Sequence, residues 1–239
     1  MIRVTTSLLL LLSGFSLLSQ DGLTSEFSNV CKAGSTLYVY TRSGLILRSK
    51  PDINGAAIGK AGYGSKVVVV ADAGQRVAFK NGNIQGEWVK VKWGDKEGYI
   101  FSGYLSRWPA MTIDLASYLK QIFLVKSETT EAPDTVLVFL YEKITFQNGS
   151  IYLSKTGDGG SSVRVTFPAF TMTFQEMYLL ARIANSEFFL APAKCDYNEN
   201  GMNCEVGEEV SNGHMFPASG LFLTKEDGNC VMYWGRGPD

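Results

Sequence analysis

The residues that could do chemistry are few and scattered. The chain holds one histidine, His214, in "SNGHMFPASG". A Ser-His-Asp hydrolase would pass its proton through that ring. Ser219 lies near it, yet no GxSxG turn presents a nucleophile. Cys/His peptidases need a thiolate and a histidine base, and zinc hydrolases commonly use at least two histidines. Carboxylates remain. Glu176, Glu187, Glu205, Glu208 and Glu209 are the candidates for a glycosidase pair, which needs two carboxyl groups across the scissile bond, one with a raised pKa. None stands in a recognisable setting. Thr173 and Glu176 have the spacing of a helix capping box, which gives Glu176 another task. "DYNENG", Asp196 to Gly201, copies the start of a calcium loop. The twelfth position, where a bidentate carboxylate is needed, is Gly207. An Asn/Gly-rich turn is the better reading. The residues imply no catalytic set, no metal and no cofactor; a carboxylate enzyme within residues 110–239 is the alternative.

Compartment follows from the start of the chain and its cysteines. "MIRVTTSLLLLLSGFSLLSQDG" has a basic residue, a short apolar run and a small residue at Ser19. This is the pattern of a secretory signal peptide over residues 1–19. The apolar run falls short of the roughly 20 residues that a membrane span requires. No cysteine follows it directly, and Cys31 is too distant for lipidation. The expectation is an exported protein, periplasmic or extracellular, not a lipoprotein, with no stable membrane insertion after cleavage. The four cysteines, Cys31, Cys195, Cys204 and Cys230, then read as disulfide candidates. Cys195 and Cys204 enclose a short Asn/Gly-rich loop and are the favoured pair, followed by Cys31 with Cys230. A net charge of −1 and a pI near 5.9 leave no electrostatic footprint for nucleic acid.

The elements that would position any site divide the chain in two. Residues 20–35 are polar and aperiodic, a flexible leader. From Thr36 short strands alternate with turns: "TLYVYT", a Ser43–Gly44 turn, "LILR", a turn at Pro51–Gly55, and "KVVVVAD". A long connection at 72–86 carries its own Asn81–Gly82. "EWVKVKW" and "EGYIF" form a hairpin about Gly94–Asp95. After Trp108–Pro109 the texture changes. Asp114 caps a helix with Leu115, Tyr118, Leu119, Ile122 and Phe123 on one face. A polar break at 127–134, three strands within 135–167, a second helix from Thr173 and a hairpin around Asp227–Gly228 complete an α+β domain with a β-meander and two helices. The domains read as 36–109 and 110–239.

"GLILRSKP", "IGKAGYGSKVVVV", "GEWVKVKWGDKEGYI" and "FSGYLS" occur in that order over residues 36–107. Together they resemble the bacterial SH3-like family. The resemblance implies a mainly β protein whose first domain is a small barrel of about five strands. It also implies a ligand: peptide, peptidoglycan or a partner protein. Ile46 departs from the pattern, which usually has a polar residue there, and the 72–86 connection is longer than usual.

Alternation assigns faces. Val89, Val91 and Ile100 should point to the core; Trp88, Tyr99 and Phe101 should point away. Tyr38 and Tyr40 share one face. Tyr104 lies in the closing turn, which by resemblance borders the ligand groove. Tyr40, Trp88, Tyr99 and Tyr104 are therefore the candidate ligand-binding residues, since exposed aromatics make good platforms. The competing reading packs these rings under the 72–86 loop or against the second domain. The expected function is non-enzymatic binding in the cell envelope. A structural adaptor, its barrel packed on its own second domain, is a further alternative.

Overall fold

Short apolar runs divided by glycine turns fold here as strands. The computed structural model describes residues 31–70, 77–81, 84–132, 140–157, 160–186, 194–198, 201–206 and 219–236. These residues form two eight-stranded sheets and two α-helices.

The first sheet contains β1 (Thr36–Val39), β2 (Leu45–Arg48), β3 (Ala57–Ala61), β4 (Lys66–Val69), β5 (Val77–Asn81), β6 (Ile84–Trp93), β7 (Lys96–Phe101) and β8 (Leu105–Ser106). Its order is β3-β2-β7-β6-β4-β1-β8, with β5 beside β6. The expected five strands are thus joined by three more, from segments read as a corner, a connection and an end. The connection became a strand because β6 runs for ten residues. Its first half, beyond the reach of β4, takes β5 as partner from Val77↔Trp88 to Asn81↔Ile84. Leu37, Leu47, Val67, Val91, Ile100 and Leu105, from six strands, meet in one buried cluster, so the sheet curls about its inner face. Ile46 faces solvent, which is why a polar residue is the ordinary choice there. Gly44 closes the first turn at φ 72°, a left-handed conformation that favours glycine.

The second sheet holds β9 (Val125–Glu131), β10 (Leu140–Phe146), β11 (Ile151–Gly157), β12 (Gly160–Phe167), β13 (Lys194–Asn198), β14 (Gly201–Val206), β15 (Ser219–Glu226) and β16 (Asn229–Arg236). Its order is β13-β14-β15-β16-β12-β11-β10-β9. All neighbours are antiparallel. Helix α1 (Leu115–Ile122) precedes the first four strands, and α2 (Phe174–Ala184) precedes the last four. A helix followed by a four-stranded meander therefore occurs twice, and the two meanders join through their last strands, β12 and β16. Both helices contribute to one core on one face of the sheet, with Leu119 and Met177 packed among Phe146, Phe167, Leu223 and Met232.

The helix starts are as the sequence implies. The Asp114 carboxylate accepts a hydrogen bond from Ser117 N at 2.9 Å. Thr173 and Glu176 form the full capping box. The Asp227–Gly228 turn joins β15 to β16 with both residues at positive φ. Two expectations change, and the turn reading of "DYNENG" holds. The polar break at 127–134 is largely strand β9, exposed along its whole length. It is an edge held by backbone pairing to β10, so it needs no apolar face. "DYNENG" is a tight hairpin closed by Asn198↔Gly201, leaving no room for a twelve-residue calcium loop. The Cys31–Cys230 bridge is not formed, because each cysteine is buried in a different sheet's core. Cys195 and Cys204 are direct cross-strand partners in β13 and β14. His214, Glu187, Glu208 and Glu209 lie outside the described residues.

One turn is unusual. After β12, Thr171 N donates to Pro168 O at 3.0 Å. Within that turn Phe170 sits at φ 68° and is 94% exposed. A non-glycine residue in this region is uncommon and costs about 1–2 kcal/mol.

Candidate functional site

The aromatic residues singled out in the sequence converge on the seam between the two sheets. Alternation along β6 puts Val89 and Val91 in the inner core and Trp88 on the opposite side. That opposite side is covered. Trp88 packs with Ile84 and Phe101, and Phe79, Tyr99, Tyr104 and Tyr178 close around them. Phe79 of β5 stands 5.6 Å from Trp88 and 5.3 Å from Phe101, centroid to centroid. Glycine permits this packing. A Cβ on Gly103 would meet the Phe101 ring and come within 2.7 Å of Ile84 Cγ2.

Helix α2 supplies the other wall. Met177, Leu180 and Ala181 face the second core. Gln175, Tyr178 and Arg182, spaced to share a second helix face, turn toward the first sheet. Gln175 Nε2 donates to Ser102 O at 3.2 Å. Tyr178 joins the Trp88 cluster. Arg182 lies over both Tyr104 and Tyr178, at 5.9 and 5.8 Å from their ring centroids.

At the start of α2 the same carboxylate caps the helix and ties it to the segment after β8. Glu176 Oε2 accepts from Thr173 N at 3.0 Å and from Arg107 Nη2 at 2.7 Å. Its Oε1 accepts from Arg107 N at 2.9 Å and Arg107 Nε at 3.0 Å. The Glu176 side chain is fully buried. These bonds to the carboxylate hold the Arg107 guanidinium above its ordinary pKa. A third contact lies nearby. Tyr118 Oη donates to Pro109 O at 2.6 Å, and Tyr40 Oη donates to Tyr118 Oη at 3.0 Å. Burial, reinforced by Tyr118, pushes the Tyr40 phenol above its usual range; burial does the same for Tyr118. Tyr63 Oη donates to Met111 O at 2.7 Å, and burial pushes its pKa up to about 12.

Of the four candidate residues, Tyr40 and Trp88 are each 3% exposed. Neither presents an open ring to a ligand, which corrects the groove expected from the face pattern. The physical reason is that strand alternation separates two faces but does not say which is wet. Tyr99 and Tyr104 are half-buried. Arg107, Gln175 and Arg182 were missed in the sequence. Only the 175-178-182 spacing could have revealed a second face on α2. Glu176, read as a capping residue, is that and an ion-pair partner; its oxygens are occupied by these donors. Among the described residues no group of His, Cys, Asp and Glu is arranged to hold a metal, and no helix is long and apolar enough to cross a membrane.

The strand content and strand order define the class: a mainly β protein built on two sheets. Comparison with family models makes this specific, since residues 43–106 match the bacterial SH3 domain family. That is a family of binding modules. Among curated proteins and solved structures, no match to the chain was found.

Proposed function

We propose that this is a non-enzymatic binding protein of the cell envelope, whose SH3-like module is braced in cis against its own second domain. The observation that carries this reading is the Glu176 junction, where one buried carboxylate caps α2 and pairs with Arg107 at 2.7 Å. With Trp88 and Tyr40 packed into the seam, the module uses its aromatic face as a structural joint. Binding of peptide, peptidoglycan or an envelope protein then falls to the parts of the module still open to solvent, Tyr99 and the rim of Tyr104. Export by the N-terminal segment and a Cys195–Cys204 disulfide complete the reading. Directly opposed positions on antiparallel strands lie 4.5–5.5 Å apart at Cα, within the range a disulfide spans.

Cosedimentation with purified peptidoglycan sacculi tests it. The expected result is retention of the intact protein, weakened by Tyr99→Ala, with no soluble sugar or muropeptide released. Release of fragments would establish the carboxylate enzyme instead. Absence of retention, together with no capture of an envelope peptide, would leave the purely structural adaptor, which the burial of Trp88 favours.

A further inference from the structure

The net charge of −1 conceals an uneven division of charge along the chain. Residues 31–109 hold twelve lysines and arginines against five acids, and residues 110–239 hold nine against sixteen. The first segment thus has a surplus of seven positive charges and the second a surplus of seven negative ones. Glu176 of the second segment offsets Arg107 of the first. The other cations of the first segment lie on or around its sheet.

The outer face of that sheet interleaves them with aliphatic side chains. Along β4, exposed Lys66, Val68 and Val70 alternate with buried Val67 and Val69. On β6, Lys92 is the register partner of Val68, and Lys90 O accepts a hydrogen bond from Val70 N at 3.0 Å. Each valine therefore stands beside a lysine across a strand spacing of about 4.8 Å. Val68 and Val70 are 40% and 38% exposed. The Lys90 row continues through Tyr99 of β7 to Arg48 of β2, and edge strand β3 adds Lys60 beside exposed Ile46. Glu97, which meets Lys90 at 3.6 Å, is the acid of this face among the described residues. Glu87 shares the inner side with Val89 and Val91. Asp52 and Asp95 lie in the flanking turns, each with a lysine close by in sequence, Lys50 and Lys96. Five cations against one acid is the balance of the face itself.

We propose that this face docks the protein, peripherally, on an anionic lipid bilayer. Ammonium groups at the headgroup level attract the negative surface, and the valines between them reach past it to the acyl boundary. A linear polyanion is held differently, in a groove whose cations alternate with stacking rings. Here the sheet curls about its inner core, so the outer face is convex, and aliphatic side chains separate the cations. The acidic surplus of residues 110–239 adds orientation: a negative surface repels it and draws the basic side down. Vesicles contain no peptidoglycan, so this proposal and the sacculus reading fail separately.

Cosedimentation of the full chain with vesicles tests the proposal, using phosphatidylglycerol and phosphatidylcholine in equal parts against phosphatidylcholine alone. The expected result is binding to the mixed vesicles only, reversed in about 1 M salt, where screening acts over about 3 Å. Lys66→Gln with Lys92→Gln, both at exposed positions, should weaken binding about tenfold or more and leave the melting temperature unchanged. Glu97→Gln should tighten it. Val68→Thr with Val70→Thr keeps strand propensity and should weaken vesicle binding several-fold. Equal binding to both vesicle types overturns the proposal, because the apolar run near the N-terminus would then be responsible. Vesicle binding unchanged by the threonine pair, with equal retention on dextran sulfate, overturns it in favour of a soluble polyanion. Absence of vesicle binding overturns it as well, and salt-sensitive self-association of the chain would then assign the basic face to the acidic segment of a second copy.

Discussion

Arg107 is the residue on which the junction turns, because its partner Glu176 is fully buried. Removing one member of such a pair leaves an uncompensated charge, at a cost of 3–5 kcal/mol when both are buried. Arg107 is about one-third exposed, so Arg107→Ala should cost about 3 kcal/mol, at the low end of that range. Urea denaturation would measure it. Little change would show that water replaces the guanidinium at no cost. Phe170 offers the opposite sign. It combines φ 68° with near-complete exposure, so its conformation costs energy and its ring gains little from packing. Asparagine tolerates this region better. Phe170→Asn should therefore raise stability by about 1 kcal/mol, seen as a higher melting temperature.

Among the elements, α1 shows how far sequence reaches. Its cap residue, its apolar face and its length were legible from Asp114 and the Leu115–Phe123 spacing. The bonds from Ser117 hold the Asp114 carboxyl below its ordinary pKa. A depressed carboxylate stabilises the fold above its unfolded value, about 3.9, and this contribution is lost as pH falls through the folded value. Asp114→Ala should accordingly cost about 1 kcal/mol at pH 7, and the gap from the parent should shrink below pH 4 in thermal melts. β6 and α2 show where sequence reading stops. The outward position of Trp88 was readable from alternation, but its covering was not. The cover comes from β5, hidden in an apparent connection, and from a stripe on α2 that is polar or aromatic in type. Polar residues such as Gln175 and Arg182 give no burial signal until a partner element stands opposite them. β9 failed for the converse reason: an edge strand with both faces wet has no alternation to detect.

At the scale of the whole molecule, buried phenols tie the first sheet to the segment that leads into the second. Tyr40, Tyr118 and Tyr63 all bridge toward the 109–118 segment, and burial raises all three phenols. A raised phenol stabilises the fold fully below its unfolded value, about 10, and that contribution is lost as pH rises through the folded value, about 12 for Tyr63. Stability should thus fall between pH 10 and 12 as the seam opens. The fall should be shallower in Tyr40→Phe, followed by the difference in melting temperature between variant and parent. If both fall alike, ionisation elsewhere governs the alkaline transition. The doubled layout of the second domain has a consequence of its own. Two helix-and-meander halves meeting through equivalent last strands have the symmetry of a two-fold dimer, here carried on one polypeptide. The two halves are not alike in sequence. One ends in an edge strand of charged and hydroxyl residues, whose composition discourages further strands from adding to it. The other holds the cross-strand cysteines. Carried on one polypeptide, two halves of one layout can present unequal edges, which two copies of a single chain in a symmetric dimer cannot.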